Sequence, residues 1–141
     1  MIQRVQSLWL LASTACAIIF FFLPIYYGEF IGGAMKKYTV TENLILFAGV
    51  TLVGLISLIT IFFYKNRSQQ KMMIIINIFI TLAVFVLQYF LIESLKEELG
   101  MASGHWQIAA VLPVFIILFH IFAYKGISQD EALLNSSERM R

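Results

Sequence analysis

Two side chains inside long apolar segments have chemistry suited to catalysis or ligand binding, the imidazole of His120 and the thiol of Cys16. A bis-histidine haem needs both ligands at a similar depth, and the only other histidine, His105, is predicted at the opposite end of the helices. Cys16 is the single cysteine, so neither an intrachain disulfide nor a Cys-x-x-Cys site can form. We predict no catalytic residue, no metal ligand and no cofactor. Haem bound through His120 alone, or between subunits, remains an alternative to a histidine near the membrane surface that bonds to a neighbour or to water.

Three polar side chains, Asn77, Thr81 and Gln88, fall on one arc of a single predicted helix. At 100° per residue they lie within about 40° of one another. Carboxamides in an apolar environment are costly unless they are hydrogen-bonded, so we expect this stripe to face other helices or a partner protein. Packing and interhelical hydrogen bonds are the simpler interpretation. A polar pathway or ligand site is the alternative, although no Asp, Glu, Lys or Arg is predicted at mid-depth.

The helices that carry these side chains are predicted from four runs that contain no Asp, Glu, Lys or Arg: residues 7–27, 44–64, 72–92 and 108–124. Three runs have 21 residues and the last has 17, and about 20 helical residues cross the hydrocarbon core of a bilayer. The runs are continuously apolar, which disfavours the alternating strands of a β-barrel. We predict an all-α polytopic membrane protein, an antiparallel bundle of four transmembrane helices with short loops.

One membrane domain is predicted over residues 1–141, with spans at about 7–27, 42–64, 72–92 and 107–124 and a tail at 125–141. Capping-box spacing at Thr39–Glu42 predicts that the second helix starts near Val40, and the same spacing at Ser128–Glu131 predicts a short separate tail helix over 128–139. The third helix is predicted to pass the membrane surface and to stop at Gly100. The glycine-containing segment from Gly28 to about Thr41 is expected to be irregular.

Basic residues are divided unequally between the two predicted sides, seven to three. Because basic residues concentrate in short cytoplasmic loops, both termini and residues 65–71 are predicted to be cytoplasmic. The side with seven holds Arg4, Lys65, Arg67, Lys71, Lys125, Arg139 and Arg141, and the other side holds Lys36, Lys37 and Lys96.

Three segments carry a resemblance to a known family: the start Met1–Leu11, the sequence Phe63–Arg67 followed by Gln69 and Gln70, and the tail Asp130–Arg141. Together they resemble the uncharacterised domain-of-unknown-function family numbered 4293, small four-span inner-membrane proteins of Gram-negative bacteria. The usual tail of that family, Asp-Glu-x-Leu-Val-x-Ser-x-Asp-Arg-Leu-Arg, differs here at Leu134, Glu138 and Met140. The resemblance implies a multi-pass protein of the bacterial inner membrane and brings no activity.

These observations predict a non-enzymatic accessory or structural subunit that docks on a larger membrane complex, or a homo-oligomer, through its spans and its cytoplasmic surface. Arg4, Lys65 and Arg67 are the expected mates of Asp130 and Glu131. The alternatives are a small transporter or a protein that binds a quinone or another lipid-linked ligand. The bilayer is the one certain contact, and neither nucleic acid nor a small-molecule substrate is predicted. The candidate partner or packing residues are Arg4, Lys65, Arg67, Asn77, Thr81, Gln88, His120, Asp130, Glu131, Arg139 and Arg141.

Overall fold

Four helices account for most of the chain in a computed structural model that describes residues 3–30, 35–98 and 101–139. They are α1 (Gln3–Phe22), α2 (Leu44–Phe62), α3 (Arg67–Glu98) and α4 (Leu112–Arg139). Within the described residues, these four helices are long and apolar enough to cross a membrane. The prediction of an all-α protein with four such helices is confirmed.

The helices pack as a ring in which α1 contacts α2 and α4, and α3 contacts the same two helices from the other side. Small residues bring the backbones close together. A Cβ added to Gly49 of α2 would lie 2.8 Å from Cγ2 of Val84 on α3, closer than packed carbon atoms approach. Gly54 faces Ala17 of α1 with more room, at 3.4 Å between the added Cβ and the alanine Cβ. Glycine at position 49 therefore sets how closely α2 and α3 pack.

The helix ends depart from the predicted boundaries for local reasons. The first helix stops at Phe22 rather than near residue 27, because Pro24 has no N–H to donate to a helical carbonyl. The predicted start of the second helix near Val40 is wrong: Val40–Glu42 forms only a 3-10 turn. The α-helix begins at Leu44, where the side chain of Asn43 accepts from the N–H groups of the first turn at 3.0 and 3.2 Å.

The last two helices are longer than their apolar runs. The α3 helix extends to Glu98 as predicted, while its expected stop at Gly100 lies outside the described residues. The predicted separate tail helix does not exist, because α4 runs unbroken to Arg139. Gly126 does not break the helix. A Cβ there would lie 3.0 Å from Cγ of Gln6, so the glycine makes room for a side chain of α1.

A three-stranded antiparallel sheet closes one end of the helices, and the sequence analysis did not predict it. Its strands are β1 (Tyr26–Phe30), β2 (Met35–Tyr38) and β3 (Met101–Trp106), in the order β2-β1-β3. The expectation of an irregular segment after Gly28 is therefore wrong. The ring of Tyr26 crosses the neighbouring strand at Gly104, where a Cβ would overlap the ring, so Gly104 permits this contact. The pairing joins residues far apart in sequence, which local patterns do not reveal.

Candidate functional site

One polar side chain from each helix meets in the interior of the bundle: Ser13 from α1, Ser57 from α2, Asn77 from α3 and His120 from α4. We call these four residues the polar centre. All four are 0% exposed. His120 was interpreted from sequence as a residue near the membrane surface, yet the structure surrounds it completely with the other helices. The polar centre therefore links all four helices through side chains at a single level.

The hydrogen bonds of His120 define which ring nitrogen carries the proton. Its Nδ1 lies 2.7 Å from the carbonyl oxygen of Ile116, which can only accept, so Nδ1 is the donor. Nε2 is then the acceptor. It lies 2.9 Å from Nδ2 of Asn77 and 3.1 Å from Oγ of Ser57. The network thus assigns the neutral Nδ1–H tautomer to His120.

Asn77 and Ser57 supply donors to the same two acceptors. Nδ2 of Asn77 lies 3.1 Å from the carbonyl oxygen of Val53 and 2.9 Å from both Nε2 of His120 and Oγ of Ser57, so its two protons are shared among three acceptors. Oγ of Ser57 lies 2.8 Å from that carbonyl and 3.1 Å from that ring nitrogen, but it has one proton. Ser13 joins through its hydroxyl, 3.1 Å from that of Ser57. Within the described part of the chain, Oδ1 of Asn77 meets no donor.

The pair of Ser57 and His120 has the spacing of a nucleophile and its base. Both residues are 0% exposed, however, and a substrate has no access to them. In residues 3–30, 35–98 and 101–139, no three His, Cys, Asp or Glu side chains are grouped to hold a metal ion. What the polar centre does in this structure is to cross-link helices by hydrogen bonds.

The stripe predicted on α3 lies buried, where its periodicity placed it. Asn77, Thr81 and Gln88 are at most 2% exposed. Thr81 donates back to the carbonyl of Asn77 at 2.7 Å, which keeps that bond within the helix. Gln88 donates through Nε2 to the carbonyl of Ala110 at 2.8 Å, in the 3-10 turn Ile108–Val111 that precedes α4. The two carboxamides therefore tie α3 to its neighbours, while Oε1 of Gln88 has no donor among the described residues.

The acidic pair of the tail finds partners other than the expected Lys65 and Arg67. Nε2 of Gln6 on α1 donates to Oδ2 of Asp130. Nζ of Lys71 on α3 pairs with Oε2 of Glu131. Lys65 is exposed, and Nη1 of the partly buried Arg67 meets no acceptor in the part of the chain that the structure describes. The side chains of Arg4 and Arg139, and the whole of Arg141, lie outside the described residues.

Two glutamines that the sequence analysis did not single out as site residues are buried at this end of the helices. Gln6 is 6% exposed and Gln70 is 3% exposed. Gln70 donates through Nε2 to the carbonyl of Thr60 at 3.3 Å. Both glutamines lie in segments that carry the family resemblance, and their position on the inner helical arcs is the signal that could have found them. The segments at this end of the bundle are thus bonded to each other across helices.

An apolar groove of about 680 Å³ lies at the other end, between α3 and the 3-10 turn before α4. It is lined by Phe85, Val86, Gln88, Tyr89, Trp106, Gln107, Ile108, Ala110 and Val111. The rings of Tyr89 and Trp106 stack on each other with centroids 6.1 Å apart. Nζ of Lys96 lies 5.5 Å from the centroid of the Trp106 ring. The groove therefore has apolar walls and a charged group at one end.

Residues 2–140 match the model of a family described as Domain of unknown function (DUF4293). The match includes all four helices, the three strands and every residue of the polar centre. Neither a curated protein nor a solved structure matches the chain.

Proposed function

The chain belongs to the DUF4293 family, and we propose that it is a non-enzymatic accessory subunit of a larger membrane complex. In this proposal the four helices cross the bacterial inner membrane as an antiparallel bundle with both termini in the cytoplasm. The apolar helices support the crossing, and the seven-to-three division of basic residues supports the orientation. The partner docks on the spans and on the cytoplasmic surface.

The packing of the chain supports the antiparallel arrangement. The strand that follows α1 pairs with the strand that follows α3, so those two helices end at the same face of the bundle. At the other end of the bundle, Gln6 near the start of α1 contacts Asp130 near the end of α4. Lys71, near the start of α3, contacts the adjacent Glu131. These contacts support a bundle in which α4 runs opposite to α1 and α3.

The observation that carries the proposal is an uncovered apolar seam on the cytoplasmic part of α4. Ala123, Ile127, Asp130 and Leu134 follow one another at spacings of three and four residues, so they share one face of the helix. The first three are at most 8% exposed against the bundle, but Leu134 is 51% exposed. Leu133, beside it, is 59% exposed. The inward face of α4 thus continues past the helices that cover it.

We expect this exposed apolar seam to be buried by a partner protein. The adjacent leucine side chains, left open on an ordered helix beyond the apolar run, offer apolar surface that a partner can bury. The bonds of Asp130 and Glu131 hold this part of α4 in place, which lowers the ordering cost of binding. A partner helix laid along Leu133 and Leu134 would complete the packing that α1 and α3 begin.

Site-specific photocrosslinking in native membranes tests this proposal. A photoreactive amino acid at Leu134 should give one discrete adduct with another protein. The same amino acid at Ala132, which is exposed on the opposite face, should give none. Leu133→Ser should weaken the adduct formed from position 134. An adduct with the mass of two copies of this chain would replace the larger complex with a homo-oligomer, and adducts to lipid alone at both positions would refute the docking surface.

A further inference from the structure

The groove between α3 and the turn before α4 is open along its length. Tyr89 is 53% exposed, Ile108 is 80% exposed, and Val86 and Val111 are each 45% exposed. Its volume of about 680 Å³ falls in the range of about 300–1,000 Å³ that holds a drug-sized ligand. Nearly all of the lining is aliphatic or aromatic, so the groove fits a hydrocarbon chain.

The position of the groove places one end at the membrane surface. Tyr89 and Trp106 are stacked at this end, and such rings favour the boundary between hydrocarbon and head groups. Lys96 lies two turns beyond Tyr89 on α3, with Nζ over the Trp106 ring. A chain in the groove would therefore have its head group beside Lys96.

The charges at that end select a head group. Nζ of Lys96 lies 2.5 Å from Oε1 of Glu93, so a positive and a negative group stand side by side. A zwitterionic head group complements this pair, with its phosphate on the lysine and its ammonium on the glutamate. Glu97 and Glu98 follow in the same turn, so residues 93–98 carry three acids and one base. The excess of negative charge disfavours an anionic head group.

From these observations we propose that the groove binds one zwitterionic phospholipid with a primary ammonium head group, an acyl chain lying against Tyr89, Ile108 and Val111. The inference rests on the proposed membrane insertion but not on the proposed partner. The lipid would cover apolar surface on α3 and on the turn before α4, and its head group would pair with Glu93 and Lys96.

Native mass spectrometry of the purified chain with defined lipids tests the chain-binding part. Phosphatidylethanolamine and phosphatidylglycerol with identical acyl chains are titrated separately. The wild-type protein should retain one phosphatidylethanolamine, about tenfold more tightly than phosphatidylglycerol. Val111→Trp, which fills the groove, should abolish this retention. Val114→Trp is the matched control, since Val114 is exposed three residues further along, in the first turn of α4, and does not line the groove.

The head-group part is tested by reversing a charge. Glu93→Lys should shift the lipid preference towards phosphatidylglycerol. Glu42→Lys makes the same change of charge at a residue that pairs with Lys36 instead of Lys96, and it should leave the preference unchanged.

Circular dichroism and gel filtration confirm the fold of each variant, and Val86→Trp replaces Val111→Trp if the latter does not fold. Equal retention of both lipids by the wild type overturns the head-group assignment. Equal loss of retention in the groove variant and in Val114→Trp overturns the groove. Recovery of the chain outside the membrane fraction overturns the insertion on which both parts depend.

Discussion

In the polar centre, Asn77 and Ser57 should each compensate for loss of the other, and the coupling free energy between them can be measured. The two amide protons of Asn77 reach two acceptors that Ser57 also reaches, the carbonyl of Val53 and Nε2 of His120, and they reach Oγ of Ser57 itself at 2.9 Å. Ser57 reaches both acceptors with one proton. Ser57→Ala therefore leaves both acceptors bonded by the amide. We expect this change to lower the free energy of unfolding by less than about 0.6 kcal/mol, the average for an interhelical hydrogen bond in a membrane.

Asn77→Leu should cost more, because the single Ser57 proton then serves only one of the two acceptors. The carbonyl of Val53 keeps its helical bond from the N–H of Ser57, so the cost is that of the lost interhelical hydrogen bonds, about 0.6 kcal/mol on average for each. Removal of Oδ1, which has no donor within the described chain, offsets part of this cost. We expect a net loss of about 1 kcal/mol. The double variant leaves neither acceptor with a side-chain donor from these two positions, so its loss should exceed the sum of the single losses by about 1 kcal/mol.

Reversible unfolding in mixed micelles of mild detergent and dodecyl sulfate, followed by circular dichroism, measures these free energies. Ile76→Leu is the control on α3, since Ile76 is exposed and the change conserves volume. Additivity of the two single losses to within about 0.3–0.5 kcal/mol would show that the two side chains do not share acceptors. The assigned network would then be wrong.

Two further predictions concern orientation and helix packing. In a cysteine-free background, an impermeant thiol reagent applied to cells with a permeabilised outer membrane should label a cysteine at Lys36 and spare one at Ser68; the opposite pattern would invert the proposed topology. Gly49→Ala should lower the free energy of unfolding by about 1–3 kcal/mol, because the added Cβ meets Val84 at 2.8 Å, whereas Gly54→Ala, with 3.4 Å to its neighbour, should change it little. Equal losses in the same unfolding titration would contradict the close approach of α2 and α3.

Helical periodicity predicted which polar side chains of α3 are buried, but not which residues of the other helices they contact. Asn77, Thr81 and Gln88 were assigned to the inner face because 100° per residue puts them on one arc. Their partners on other helices depend on the rotation and height of those helices, and the sequence of α3 carries no information about either. His120 shows the same limit, since counting residues from Lys125 predicted its distance from the end of the apolar run but not that the other helices bury it fully.

The sheet and the tail escaped prediction for different physical reasons. The three strands are only four to six residues long, and no alternation of polar and apolar residues in them predicts a strand. They pair across distant parts of the chain because the helix ends bring them together. The tail was predicted as a separate helix because Ser128 and Glu131 have capping-box spacing. Capping signals act only where the preceding backbone is not helical, and here α4 already continues through Ser128.

The continuity of α4 joins the polar centre and the proposed docking seam in one rigid element. His120 fixes the helix at the interior, Gln6 packs against Gly126, and Asp130 is bonded nine residues before α4 ends. A partner that binds at Leu134 would therefore contact the same helix whose side chains hold the bundle together. For this reason deletion of residues 128–141 cannot isolate the seam: it would also remove the carboxylate that satisfies Gln6, which is 6% exposed, and would lower the stability of the bundle. Substitution at Leu134 leaves that bond in place, so a loss of binding there reports on the surface alone.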